Sequence, residues 1–171
     1  VRALIECACR QNIPVVLITN QSGISRGLFQ WKHFETVNER MQELLGPDAP
    51  LAAIYANGHG PNAQADSWRK PSPKMLFEAS KDLCLDLSSS MMIGDRLSDL
   101  QAGNSAGLAM IFHVLSGHGL SERPHVVEWQ RQQDNISLLN CQSSSKSAKL
   151  SLLVSLDDFP YFLLGKGVVA S

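Results

Sequence analysis

VVLITNQSGISRG, residues 15–27, decides how this chain is read. Its first half is an unbroken aliphatic run, the pattern of a strand covered on both faces. The run stops in Thr19-Asn20-Gln21-Ser22-Gly23, with Arg26 just behind. A hydroxyl and successive backbone N–H groups beyond a strand end make a small cradle for an anion. The same residue types are ordinary turn formers. Taken alone, the stretch leaves both readings open.

The flanking sequence supplies the frame. Residues 1–11 read as a helix with Ala3, Leu4, Cys7 and Ala8 on one face. After a polar loop over 20–30, Trp31, Phe34, Val37, Met41 and Leu44/Leu45 recur at helical spacing, and Gly46 is the stop. LAAIYA (51–56) is a second strand and 57–72 a long loop. Ser72 followed by Pro73 opens a helix that carries Met75, Leu76, Ala79 and Leu83. SMMIGD (90–95) is a third strand, RLSDLQAGNSAG (96–107) a short helix with a glycine stop, and LAMIFHVL (108–115) a fourth strand. Strand and helix alternate, which predicts an α/β fold with a mainly parallel sheet and right-handed crossovers. Such sheets bind ligands beyond the carboxyl ends of their strands. Thr19, Asn57 and Asp95 all fall at such ends and are expected on one edge.

Residues 1–118 read as one core. Residues 119–150 read as a polar, partly flexible segment, with SSSKS at 143–147 as a linker. Residues 151–171 read as a terminal strand and a short helix capped near Asp157 and Asp158.

Composition narrows the class of partner. The chain has 171 residues, 44% hydrophobic and 18% charged, which suits a folded globular core and not a disordered one. Lys+Arg number 15 against Asp+Glu 16, so the basic excess of a nucleic-acid binder is missing. No apolar stretch reaches the length of a membrane span. VRALIECACRQNIP (1–14) lacks the layout of a signal peptide, so a cytoplasmic place is expected; a monomer is expected as well. Cys7, Cys9, Cys84 and Cys141 show no metal-type pairing and are expected as reduced thiols.

Two further stretches carry chemistry. In WRKPSPKM (68–75), Arg69 and Lys70 are neighbours that point in different directions in an extended loop. Lysine is a point charge for a phosphate and arginine a bidentate fork. The plain alternative is a solvated surface pair. In IGDRLSDLQAG (93–103), Asp95 follows a buried strand directly and Asp99 lies one helical turn on. Mg²⁺ takes one or two carboxylates with water and phosphate oxygens. The plain alternative for Asp95 is a helix N-cap.

Taken in this order, the three stretches resemble the second, third and fourth motifs of the haloacid dehalogenase (HAD) superfamily. TNQSGISRGLF, RKPSPKML and GDRLSDLQAGNSAGL are similar to its heptose bisphosphate and histidinol phosphate phosphatase group. The similarity to the heptose 1,7-bisphosphate branch is the stronger and covers roughly residues 1–118. The resemblance implies a Rossmannoid three-layer sandwich and a Mg²⁺-dependent phosphatase of carbohydrate metabolism, acting on a small phosphorylated sugar through an aspartyl-phosphate. It implies that Thr19 and Lys70 hold the transferring phosphoryl group, and that Asp99 supports Asp95 or Lys70. Asn20, Gln21, Ser22, Arg69 and Arg96 would line the substrate site, and Asp95 would bind Mg²⁺. Histidinol phosphate phosphatase and a phosphate-binding relative without activity are the alternatives. The phosphatase domain of polynucleotide kinase shares a Thr-Asn-Gln stretch but is disfavoured by the missing basic surface.

Two departures stand out. The family's nucleophile lies in an Asp-x-Asp-Gly motif on the first, central strand, and no such motif occurs here. The expectation is that this strand is absent and the chain inactive and only marginally stable. Loss of that strand would leave the strands ending at Thr19 and Asp95 with unpaired backbone groups, unless those two close the gap. The paired aspartates of SLDDFP (155–160) read as a helix cap. Relatives also carry a Cys/His zinc loop, whose positions here are Asn57, His59, Asp66 and Trp68. Only His59 remains a good ligand, so zinc is not expected.

Overall fold

The computed structural model describes residues 1–62, 67–139 and 147–164, without the side chains of 136–139. Asp66, Cys141 and nearly all of the SSSKS stretch lie outside the described residues. The chain divides into two units, Val1–Leu85 together with the end from Pro160, and Asp86–Phe159.

In the first unit, helix α1 (Arg2–Arg10) buries Ile5 and Ala8 and pairs Arg2 with Glu6 across one turn. Strand β1 (Val16–Asn20) runs parallel to β2 (Ala53–Asn57), with Thr19 opposite Ala56 and Asn20 opposite Asn57. All of β1 is half-buried, not covered on both faces as its apolar run suggests. A single turn, α2 (Ser22–Ser25), follows it, and Gly23 is buried against the Phe29 ring. Helix α3 (Trp31–Leu45) has the expected period, yet none of its residues is fully buried, and Val37 and Leu44 are 65% and 61% exposed. Spacing sets which residues share a face; neighbours decide whether that face is covered. Helix α4 (Lys74–Leu83) begins just after Pro73 and buries Met75, Leu76 and Ala79. Ser72 Oγ still accepts the Lys74 N–H, at 3.4 Å.

The second unit holds a sheet of order β3-β4-β5, parallel throughout. Its strands are β3 (Met91–Gly94), β4 (Met110–His113) and β5 (Lys149–Leu152). Helix α5 (Leu97–Ser105) connects the first two and packs on both. Phe112, Ile111, Leu100 and Val126 are fully buried, and Phe112 meets Phe159 with ring centroids 5.0 Å apart. Residues 119–139, read from sequence as a polar segment, form helix α6 (Gly119–Leu139). Fully buried Val126 is its anchor in the core, an apolar contact that the polar composition around it masks. β5 begins at Lys149, earlier than expected. A single 3-10 turn at Leu156–Asp158 follows; another at Tyr161–Leu163 belongs to the first unit.

The protein is therefore a parallel α/β protein, and among the described residues its strands form two sheets, with no ladder joining β1 to β3. Each unit has its own candidate residues.

Candidate active site

In the first unit the residues of interest gather at the carboxyl end of β1. Gln21 N–H donates to the Asn57 carbonyl at 2.7 Å, and Ala52 N–H to that of Val15 at 2.8 Å. Backbone groups alternate sides along a parallel ladder. The Ile18 carbonyl therefore turns away from β2. It accepts the Lys70 ammonium at 2.7 Å. Lys70 is 9% exposed, so the solvated surface pair is not what the fold makes of Arg69 and Lys70. The loop that carries Lys70 is tied to the strand by a reciprocal pair of bonds. Lys70 N–H donates to Asn20 Oδ1 at 3.1 Å, and Asn20 Nδ2 donates to the Lys70 carbonyl at 3.2 Å. Asn20, expected on the substrate, has both polar atoms of its side chain on the Lys70 backbone.

Thr19 Oγ1 accepts the Gln21 side-chain amide at 2.9 Å. The Ser22 carbonyl is taken inside the turn, by Ser25 Oγ at 3.0 Å and Arg26 Nε at 3.3 Å. Arg69 Nη1 donates to the His59 carbonyl at 3.1 Å, which holds the guanidinium on its own loop. His59 Nδ1 lies 3.0 Å from Asn57 Oδ1. Among the described residues no group of three His, Cys, Asp or Glu side chains could hold a metal by itself.

In the second unit the carboxyl end of β3 leads into α5. Asp95 is half-buried, and its Oδ2 accepts the His118 N–H at 2.7 Å. It is not the cap of α5. The N-cap is Arg96, and Asp99, 5% exposed, takes part in the capping box from the third helical position, its Oδ2 accepting the Arg96 N–H at 3.1 Å. Arg96 is exposed. Glu122 also serves α5, accepting the Leu97 N–H at 3.2 Å. Gly94 lets Asp99 sit this close: a Cβ there would lie 2.4 Å from the Asp99 Cβ.

Two features here are not legible in the motifs. The first is the turn through Ser116-Gly117-His118 that wraps Asp95. Gly117 has φ +60°, and a Cβ on it would lie 2.2 Å from Asp95 Oδ2. Gly117→Ala is expected to lower stability by about 1–2 kcal/mol, from the left-handed backbone alone, which urea unfolding would measure. The second is His113, fully buried at the end of β4. Its Nδ1 accepts Arg123 Nε–H at 2.8 Å, and its Nε2 lies 3.2 Å from the Asp95 carbonyl. Burial, and then the facing Arg123 cation, push its pKa below the usual histidine value. The sign follows. Below about pH 6.5 the unfolded chain takes up a proton that the folded chain refuses. Stability is thus present above that pH and lost as the pH falls through it. Melting temperature should drop more between about pH 7.5 and about pH 5.5 in the wild type than in His113→Gln.

Comparisons with known proteins identify the family. Residues 67–137 match the Hydrolase-like family, described as HAD-hydrolase-like. A D-glycero-beta-D-manno-heptose-1,7-bisphosphate 7-phosphatase of Mesorhizobium japonicum is 52% identical over 112 residues, 61% of this chain and 52% of the relative. The enzyme of the same name from Escherichia coli is 34% identical over 128 residues, 70% of this chain and 67% of the relative. The solved D,D-heptose 1,7-bisphosphate phosphatase of B. bronchiseptica, complexed with magnesium and phosphate, superposes with a TM-score of 0.67 at 28% identity. That match covers 78% of this chain and 82% of the other. The chain thus spans about half the length of the Mesorhizobium relative and two thirds of the Escherichia coli one. With motif order, parallel α/β architecture and sequence identity in agreement, the chain belongs to the HAD-like hydrolase family, in the group of the heptose 1,7-bisphosphate 7-phosphatases.

Proposed function

We infer that this chain carries the phosphate-holding and metal-holding parts of a phosphoric monoester hydrolase acting on a small phosphorylated sugar, with D-glycero-D-manno-heptose 1,7-bisphosphate as substrate and its 7-phosphate as the bond broken. The observation that carries the reading is Lys70. It is a buried ammonium at a strand end beside Thr19, on a loop tied down by two bonds to Asn20. A lysine held this way supplies a fixed positive charge where a phosphoryl group develops negative charge.

Thr19 adds a hydroxyl for a phosphoryl oxygen. Gln21, bonded to that hydroxyl, orients it. Ser22 and Arg69 face the rest of the substrate in this reading, as does the exposed Arg96. Asp99 acts by fixing the start of α5 directly after Asp95. Asp95 fits a Mg²⁺ ligand: it is a half-buried carboxylate at a strand end, aimed by the His118 N–H. Magnesium takes one or two protein carboxylates and fills its shell with water and phosphate oxygens, so one fixed carboxylate suits it. Bound there, the ion would neutralise phosphate charge. The loop with Asn57, His59 and Trp68 supplies no second good zinc ligand to His59, and we read it as a substrate-bordering loop.

No Asp-x-Asp-Gly occurs in these residues, so the attacking carboxylate is not assigned to any of them. The test is release of inorganic phosphate from heptose 1,7-bisphosphate and from histidinol phosphate with Mg²⁺. It compares this chain with the chain joined to a segment bearing an Asp-x-Asp-Gly strand. Activity of the joined form alone, on the heptose ester, is the expected result. Activity of neither, with phosphate still bound, would make the chain a phosphate-binding relative. Activity of the chain alone would place the nucleophile within it.

A further inference from the structure

Asp95 is held at two points, and only one of them is on its side chain. The His118 N–H takes Oδ2, and His113 Nε2 lies 3.2 Å from the Asp95 carbonyl oxygen. A guanidinium only donates hydrogen bonds. Since Arg123 Nε–H points at His113 Nδ1 at 2.8 Å, that nitrogen must be the bare one. The proton then sits on Nε2 and is donated to the Asp95 carbonyl. Arg123 is itself fixed, because its Nη2 donates to the His113 carbonyl at 3.3 Å and also to the Leu153 carbonyl. The guanidinium thus joins the ends of β4 and β5 and sets the tautomer of the imidazole between them.

We propose that His113 and Arg123 are positioning residues for Asp95: Arg123 locks the Nε2–H tautomer, and that N–H pins the main chain of the aspartate. With the carbonyl and one carboxylate oxygen both held, the direction of the other oxygen is set by the fold. The plain alternative is a buried histidine that merely satisfies its own polar atoms. It differs in what it predicts, because a self-satisfying histidine would leave the clasp on the Asp95 carboxylate unchanged when removed. The consequence for catalysis rests on the reading of Asp95 as the Mg²⁺ ligand; the clamp itself does not.

The experiment uses the chain as it stands and does not read activity. Long-range ¹H–¹⁵N spectra of ¹⁵N-histidine-labelled protein should show His113 as the Nε2–H tautomer. The His118 amide, which reports the Asp95 Oδ2 bond, should exchange roughly tenfold faster in His113→Leu, about one hydrogen bond's worth of local opening. Amides of Ile111 and Phe112 should keep their rates. His113→Gln, whose amide can accept from Arg123 and donate to Asp95, should restore the slow exchange. An Nδ1–H tautomer would overturn the proposal, as would an unchanged His118 rate in folded His113→Leu or no rescue by glutamine. If His113→Leu does not fold, the wild-type tautomer and its loss in Arg123→Met decide the matter. A Mg²⁺ titration separates the two readings. The expected tautomer and rates with no Mg²⁺ effect at Asp95 would support the clamp and remove the metal role.

Discussion

Lys70→Met is expected to lower phosphate release by roughly two to three orders of magnitude, the usual effect of removing one fixed charge-stabilising group from a reacting centre. The assay is the joined form with Mg²⁺ described above. Methionine keeps most of the apolar stem of the buried lysine. The bonds between Lys70 and Asn20 use backbone groups of residue 70 and survive the change. The change removes the ammonium contact with the Ile18 carbonyl, and a hydrogen bond from a charged group is worth about 1.5–3 kcal/mol net. Activity should collapse in a protein that still unfolds cooperatively, which urea unfolding of the variant checks. Lys70→Arg should rescue poorly, because a planar guanidinium does not fit the place of a compact ammonium. A methionine variant that kept more than about a tenth of the wild-type rate would remove Lys70 from the phosphate-holding role.

Gly94→Ala is expected to cost about 2–4 kcal/mol, read as a shift in the urea midpoint of the second unit. Gly94 ends β3 opposite His113. An added Cβ would lie 2.4 Å from the Asp99 Cβ and 2.7 Å from its Oδ2. Asp99 is buried at the start of α5 and cannot simply turn outward. Overpacking of this kind costs about 1–3 kcal/mol. Displacing Asp99 from the Arg96 N–H would add about 1 kcal/mol for a lost helix cap. The two losses reach Asp95 from both sides, since it is the residue between Gly94 and Arg96. A Gly94→Ala protein as stable as the wild type would mean that Asp99 has room to move, and that its carboxylate is not part of the local frame.

Much of this could be read from residue order. The four apolar runs at 13–19, 51–56, 90–95 and 108–115 lie on β1 to β4. The helix starts at Trp31 and after Pro73 follow from spacing and caps, which are local properties. Two features escaped the sequence for one reason. The apolar run of β1 reads as covered on both faces, but the strand is half-buried throughout, and helix α6 lies inside a stretch that reads only as polar. Both concern what an element packs against, which period and composition do not encode. The role of Asn20 was hidden for a similar reason. Its partner, Lys70, is 50 positions away in the chain. Nothing near Asn20 shows that its amide matches the backbone of that loop.

The sequence by itself determined the order of the main strands and helices as far as β4, the parallel α/β class and the identity of the chemical groups. A strand needs its apolar run, a phosphate site its hydroxyl and cation, and a metal site its carboxylate, and these are written as residue types at fixed spacing. Tertiary structure alone decided how those groups are held. Asp95 is held by the His118 N–H and lies against His113, whose Nδ1 accepts from Arg123 on α6. Lys70 is buried against the open side of β1. Hydrogen bonds of that kind depend on distance in space, and the chain brings their partners together only when its sheets and helices have packed.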